Sequence, residues 1–378
     1  MIPLSIPNIS SKEWEYVKEC LDTGWISSVG GFVNQFEEKL VDYNNVKHCV
    51  AVSSGTAGLH VSLRLLGVVP NDYVLLPNIT FVATANAVKY LGAEPIFFDI
   101  DSKNWQIDID LLEEFLETQT TLLDDGNLIN NKDGRSIKAV VPVHLQGNIM
   151  DMERFMKLVS KFRLKVVEDA AEALGSKFNN KSAGTFGEFG VLSFNGNKII
   201  STGGGGAILT NSDELAARAK HLTTTAKTDS LAYHHDEVGY NYRLVNVLAA
   251  IGVAQMEVLD GYVIKKRQIA DFYYESLGGV GDIRFQSIDD RVLCNQWLFT
   301  IQTEQKDELL DYLLSKDIQS RPFWMPMTAL PMFNDLQYFT KNDQSSLVHR
   351  TCLSIPCSTG ITESELDIVS STIKKFFD

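Results

Sequence analysis

A lysine that forms a covalent bond to a carbonyl must be kept from full hydration and given small neighbours, and one lysine in this chain is so placed. Lys198 ends the stretch Ser193-Phe194-Asn195-Gly196-Asn197-Lys198, just after a buried apolar run, and Gly203-Gly204-Gly205-Gly206 follow shortly. Glycines let the backbone pass close to a bound molecule, and an amine desolvated there can form a Schiff base. A solvated lysine on a flexible loop is the ordinary alternative. Two further features stand earlier in the chain. Glu168-Asp169-Ala170-Ala171-Glu172 directly follows Lys165-Val166-Val167, and a carboxylate at the carboxyl end of a parallel strand points into the crevice where such sheets bind ligands. Asp169 there can hold a protonated ring nitrogen, or simply cap the next helix. Ser53-Ser54-Gly55-Thr56-Ala57 lies between a short apolar strand and a helix. First-turn amides and the helix dipole at such a place suit a phosphate, and plain capping uses the same residue types.

Each feature is weak alone. Together, and in this order, they match the needs of pyridoxal 5'-phosphate: a phosphate cradle, a Schiff-base lysine and a carboxylate for the pyridinium nitrogen. Other chemistries lack their signatures. There is no Gly-x-Gly-x-x-Gly, because Ile208 interrupts the glycine run, and no Walker A, His-Glu-x-x-His or Gly-x-Ser-x-Gly sequence. The histidines include one adjacent pair, His234-His235, without metal-ligand spacing, so no metal is expected.

The elements that must position these residues follow from the apolar pattern. The 378 residues are 44% hydrophobic and 22% charged, a balance that suits a globular protein with a large core. Lys and Arg total 34 against 48 Asp and Glu, for a formal charge of −14. Such a surface repels nucleic acid and anionic membranes, so neither is an expected partner. Five unpaired cysteines and no apolar leader or spanning segment point to a reducing cytoplasm. Short runs at 49–52, 73–76, 94–98, 139–143, 165–167 and 191–194 read as strands apolar on both faces. Helical stretches at 11–23 (with Trp14, Val17 and Leu21 on one face), 32–43, 57–66 and 80–91 separate the earlier ones, which implies a largely parallel sheet in an α/β layer. The polar stretch from Glu117 to Lys138 reads as a surface excursion. A long helix is expected over 247–259, followed by another through Ala270 and Tyr273. Beyond it, strand-like 297–302 and helix-like 306–314 and 363–376 suggest a smaller α+β domain. The expected division is 1–250 and 251–378.

With these residues quoted, the chain resembles the DegT/DnrJ/EryC1/StrS aminotransferases over nearly its whole length. Asp22-Thr23-Gly24-Trp25-Ile26-Ser27-Ser28, Ser54-Gly55-Thr56-Ala57, Thr80 to Asn86, Pro142-Val143-His144, Glu168-Asp169-Ala170-Ala171, Lys198, Gly239 to Leu244 and Ser320-Arg321-Pro322-Phe323 carry the likeness. It implies fold-type I, aspartate-aminotransferase-like, with a large α/β domain and a smaller C-terminal α+β domain. By resemblance, Lys198 is the Schiff-base lysine and proton shuttle, and Asp169 the partner of the ring nitrogen. Gly55, Thr56 and Ser193 hold the phosphate, Phe81 stacks on the ring and Glu172 lies near the ring hydroxyl. Asn241 reaches the phosphate of a neighbouring subunit, which implies a homodimer with shared sites. L-glutamate is the implied donor, leaving as 2-oxoglutarate with a pyridoxamine 5'-phosphate form between. The implied acceptor is a UDP- or dTDP-linked 4-keto-6-deoxyhexose, often 2-acetamido, on a route to surface polysaccharide. Trp25, Ser27, His144, His235 and Arg321 are candidate substrate contacts, as is 223–227. A sugar dehydratase of the same fold typically has histidine where Lys198 stands, and a non-catalytic sensor would not need Lys198 and Asp169 intact. Three departures fall near the substrate: Glu172 replaces a common glutamine, Gly204 a common glutamate, and Met325-Pro326-Met327-Thr328 a common Pro-Leu-His.

Overall fold

A computed structural model describes every residue from 1 to 378 except Ser10 and Ser230. Eight strands run through the main sheet: β1 (His48–Val52), β2 (Tyr73–Pro77), β3 (Glu94–Phe98), β4 (Ser136–Val140), β5 (Lys165–Asp169), β6 (Phe189–Ser193), β7 (Gly206–Thr210) and β8 (Tyr338–Phe339). Their spatial order is β1-β7-β6-β5-β4-β2-β3-β8. Pairing is parallel from β6 across to β8, and β7 runs antiparallel to both its neighbours. The alternation of strand side chains divides two cores. Leu75, Val140 and Leu192 enter one, and Val74, Val141 and Val191 enter the other. Both faces are therefore covered, as a largely parallel sheet requires.

Helices α1 (Glu13–Thr23), α2 (Gly31–Asn44), α3 (Gly55–Leu65) and α4 (Ala83–Tyr90) cover the first half. The face of α1 that buries is not the one its apolar spacing suggests. Trp14 and Leu21 are 77% and 60% exposed, while Glu13 and Cys20 pack inward. Glu13 is tolerated there because its carboxylate accepts from Gln255 Nε2 and the Ser11 amide. Helix α4 starts at Ala83 rather than Thr80, so Thr80 and Phe81 stay in the preceding loop. The polar excursion is in fact a hairpin. Thr120–Leu122 and Leu128–Asn130 flank Asp125-Gly126, a hairpin-turn dipeptide with Gly126 at φ +88°, and extend the sheet beyond β4. The helix expected over 247–259 instead ends at Met256, and the chain turns 61° into Leu259–Leu277. Among the described residues no single helix is long and apolar enough to cross a membrane.

A second, antiparallel sheet is built from Arg284–Phe285, Phe299–Gln302, Cys352–Ile355 and Arg321–Pro322. Its core joins Ile301, Leu353 and Ile355 to Leu366 and Val369 of the helix Glu363–Phe377, which begins with a Thr362/Glu365 capping box. A division at residue 250 is crossed in both directions: Ile2 enters this second core, while Val253, Val263, Val292 and Cys294 enter the first and β8 returns to the edge of the first sheet.

β7 lies between β1 and β6 and passes directly against the turn at the start of α3. A Cβ on Gly206 would stand 2.5 Å from Ser54 C and 2.6 Å from Gly55 N, both backbone atoms. Gly206→Ala is expected to cost about 1–3 kcal/mol, read as a lowered urea midpoint with an unchanged slope. An unchanged midpoint would mean that β7 and this turn are not in contact.

Candidate active site

The carboxyl ends of β5 and β6, the N-terminus of α3, the loop before α4 and the edge of the second sheet enclose a cavity of about 380 Å³, within the range of small-molecule sites (about 300–1,000 Å³). Gly55, Thr56, Phe81, Asp169, Glu172, Ser193, Lys198 and Arg321 all line it, so eight of the thirteen residues singled out by sequence meet in one place. The parallel sheet brings Gly55 to Lys198, and the antiparallel second sheet adds Arg321 from much further along the chain.

Adjacent positions on β5 have opposite fates because strand side chains alternate. Glu168 points inward and is fully buried, accepting from the amides of Gly184 (2.9 Å), Phe186 (2.5 Å) and Gly187 (2.8 Å) and bonding His144 Nε2 (2.8 Å). Asp169 faces the cavity. Its Oδ2 accepts from Thr84 Oγ1 at 2.6 Å and its Oδ1 from the Ala171 amide at 3.1 Å. The short link to Thr84, itself bonded to Thr80 Oγ1 at 2.9 Å, sets the carboxylate's direction. Ser54 does cap α3, accepting from the Ala57 amide at 3.1 Å. Capping leaves the amides of Gly55 and Thr56 without intrahelical acceptors and facing the cavity. Any side chain at Gly55 would press on Ser193 Cβ at 3.0 Å, so the cradle floor admits only glycine without adjustment.

Lys198 Nζ lies 3.7 Å from Glu172 Oε1 and 4.0 Å from the centre of the Trp297 ring. Its side chain is only 11% exposed. Burial lowers the amine's pKa, and the nearby Glu172 and Asp169 oppose that shift. Burial likewise raises Glu172 to about 7, against the attraction of Lys198 and the Gln146 amide that Glu172 accepts at 2.8 Å. A desolvated amine, a directed carboxylate and an anion cradle on one cavity wall are the donor set that pyridoxal phosphate requires, and these residues fit it.

Five expected residues lie elsewhere. His144 is fully buried, its Nε2 on Glu168, and it packs behind the strand ends rather than on the cavity wall. Trp25 and Ser27 are exposed, their carbonyls held by Asn246 Nδ2 (2.7 Å) and the Asn246 amide (2.6 Å). His235 is exposed, its Nδ1 on the Thr225 carbonyl. Asn241 is exposed, between Tyr240 and Tyr242, whose rings stack at 5.0 Å and pack on His60. Conversely, Thr84, Trp297 and Trp324 belong to the site although no role was assigned to them from sequence. Thr84 stands inside the Thr80–Asn86 motif. Trp297 gives no local signal, since it meets Lys198 only through the second sheet.

Because Glu172 titrates higher folded than unfolded, the folded chain binds the extra proton between about pH 4.5 and 7, and its stability falls as pH rises through that window. Glu172→Gln removes that loss. The melting temperature of the cofactor-free variant, relative to the parent, is therefore expected to increase from pH 5 to pH 8; a constant difference would mean that Glu172 is not desolvated.

The DegT/DnrJ/EryC1/StrS aminotransferase family model matches residues 7–374. The chain is similar to the GDP-perosamine synthase of Escherichia coli O157:H7, 36% identical over 379 residues, covering 100% of this chain and 98% of the relative. It is also similar to the GDP-perosamine synthase of Vibrio cholerae, 33% identical over 383 residues and the full length of both. Among solved structures, a DegT/DnrJ/EryC1/StrS aminotransferase from Brucella abortus superposes with a TM-score of 0.89 at 26% identity, covering 97% of this chain and 95% of that one. The chain therefore belongs to the DegT/DnrJ/EryC1/StrS aminotransferase family and is a pyridoxal-phosphate-dependent nucleotide-sugar aminotransferase.

Proposed function

We propose that the enzyme moves the amino group of L-glutamate to a keto carbon of a GDP-linked sugar, on a route to surface polysaccharide. The observation that carries the reading is the seat of Lys198: one amine, removed from water, between Glu172 and Trp297 and facing the same cavity as Asp169. Bound pyridoxal phosphate supplies an electron sink through which the donor's Cα–H can ionise. Lys198 then carries the proton from that carbon and returns one to the acceptor carbon, a task helped by the lowering of its pKa through burial. Asp169, held by Thr84, would keep the proton on the ring nitrogen. The amides of Gly55 and Thr56 with Ser193 would hold the phosphate, and Phe81 would cover the ring. Glu172 would hold the ring hydroxyl. Arg321 at the cavity rim suits an anionic group of donor or acceptor. Lys198→Ala is expected to lower kcat by at least roughly 100-fold, and Asp169→Asn to bind cofactor yet lose most turnover; a fully active Lys198→Ala would end this assignment.

The nucleotide is read from relatives rather than from the cavity. The sequence resemblance points to UDP or dTDP, whereas two full-length relatives are named for a GDP-linked amino sugar. The test is a spectral titration of the purified, yellow enzyme. L-glutamate is expected to remove the visible band and release 2-oxoglutarate; once the 2-oxoglutarate is removed, the correct keto sugar restores the band and the others in the panel do not. A panel of GDP-, UDP- and dTDP-linked 4-keto-6-deoxyhexoses decides the acceptor. Failure of glutamate to bleach the band would overturn the donor and favour dehydration or another amine.

We also propose a cytoplasmic homodimer. Trp14, Leu21, Trp25, Ile26 and Val29 are all exposed within sixteen residues, more apolar surface than scattered single side chains leave. Asn241 is exposed and does not line its own chain's cavity, as suits a ligand for a partner's site. All five cysteines are free and buried, which fits a reducing compartment.

Gly204 lines the cavity, and a Cβ there would meet nothing within 4 Å. Gly204→Glu, which restores the side chain common in relatives, is expected to fold and to react normally with glutamate. Its effect should fall on the acceptor, as a raised KM. An unchanged acceptor KM would place the sugar away from Gly204.

A further inference from the structure

Lys266, on the helix Leu259–Leu277, is 3% exposed. A lysine buried that far is rare unless paired with a carboxylate, and its hydrogen bonds here go to neutral groups. Its Nζ donates to the Trp297 carbonyl at 2.7 Å, the Cys357 carbonyl at 2.6 Å and Cys357 Sγ at 3.6 Å. Three donors meet three acceptors, so the ammonium is satisfied, but desolvating it still costs free energy. The element it secures is Trp297. Gln296, just before, is in the left-handed region at φ +55°, where a non-glycine residue needs its surroundings to hold it. Asn295 Oδ1 accepts from the Trp297 amide at 2.9 Å. The indole N–H donates to the Asn197 carbonyl at 2.7 Å, one residue before Lys198, and the ring face lies 4.0 Å from Lys198 Nζ. Trp324 lies parallel to the indole, 6.1 Å away.

We propose that Lys266 is a positioning residue for the reactive amine: it anchors the main chain of Trp297, whose indole holds Lys198 Nζ by its face and the Asn197–Lys198 loop by its N–H. The seat of the amine is thereby set from the helix Leu259–Leu277, more than sixty residues along the chain. The consequence for turnover rests on the aminotransferase reading; the contacts and their test do not. The charged groups facing Lys198 are Glu172 and Asp169, with Arg321 also on the cavity wall, and the titratable group against Lys266 is Cys357. None of these is altered by changing Trp297 or Lys266.

The test reads the amine directly in cofactor-free protein. The rate at which Lys198 is acetylated by acetic anhydride is followed by mass spectrometry as a function of pH, which gives the amine's titration midpoint without glutamate or sugar. A ring face favours the ammonium form. Trp297→Leu is therefore expected to lower the midpoint by about half a unit or more, with Trp297→Phe restoring part of the shift. Lys266→Met is expected to lower it in the same direction, and to slow capture of added pyridoxal phosphate in proportion. Where Lys266→Met does not fold, Lys266→Gln, which keeps two N–H donors but no charge, carries the comparison. An unmoved midpoint in Trp297→Leu would overturn the role of the ring. A shifted Trp297→Leu beside an unshifted, folded Lys266 variant would overturn the role of Lys266. A chain that fails to transaminate but shows both shifts leaves this proposal standing and removes only the reading of the reaction.

Discussion

An ammonium taken out of water is the constraint to which the rest of the site answers. Lys198 loses hydration on all sides but the cavity, and an unpaired charge in that position would either be neutralised or displace its loop. The fold opposes that loss with groups brought from three directions: Glu172 from the segment after β5, the Trp297 face from the second sheet, and the more distant Asp169. The opposition is partial. The amine's pKa stays below that of a solvated lysine, and Glu172 is pushed toward neutrality by the same burial. A fully compensated ion pair would hold its proton too firmly for a group that must give and take one. A weak, desolvated pair holds the lysine's proton less firmly than water would.

The sheet is what makes such a pairing possible. Its parallel strands deliver their carboxyl ends to one side, so that β5 offers Asp169, β6 offers Ser193 and the Lys198 loop, and β1 leads into the α3 amides. The antiparallel β7 between β1 and β6 brings Gly206 against Ser54 and Gly55, which closes the cradle from below. On β5, one residue of register separates a carboxylate tied up by three amides and His144 from one aimed at ligand. A slip by one position would exchange them.

Much of this was legible before any coordinates. Buried apolar runs predict β1 to β6, and the lysine, aspartate and helix-start motifs predict the first wall of the cavity. What could not be read was decided by packing between distant segments. The apolar stripe of α1 does not mark its buried face, because Glu13 finds partners on the helix Asn246–Met256 and its flanks. The β7 run starts on the last of four glycines, which read as loop, yet it is buried throughout. The hairpin at 120–130 is polar along one strand, and only its Asp-Gly turn hints at pairing. His144 looks like a ligand in sequence and is instead the inner partner of Glu168. Trp297, ninety-nine positions beyond Lys198, has no pattern that ties it to the loop it supports.

The distribution of small and large side chains around the cavity carries a last consequence. Its floor is tight: a side chain at Gly55 would press on Ser193, and the Lys198 amine lies 4.0 Å from the centre of the Trp297 ring. Its rim is open, since the Cβ position of Gly204 faces empty space, while Phe81 is 55% exposed and Arg321 is exposed. A site tight at the reacting amine and loose at its mouth fixes the chemistry while leaving the bound sugar to be selected by contacts further out. In the proposed dimer, the exposed apolar side chains on the 14–29 segment and Asn241, which is exposed and does not line its own chain's cavity, are available to a second copy. This geometry lets one chemistry serve different sugars: the rim can change its side chains without disturbing the balance on which Lys198 depends.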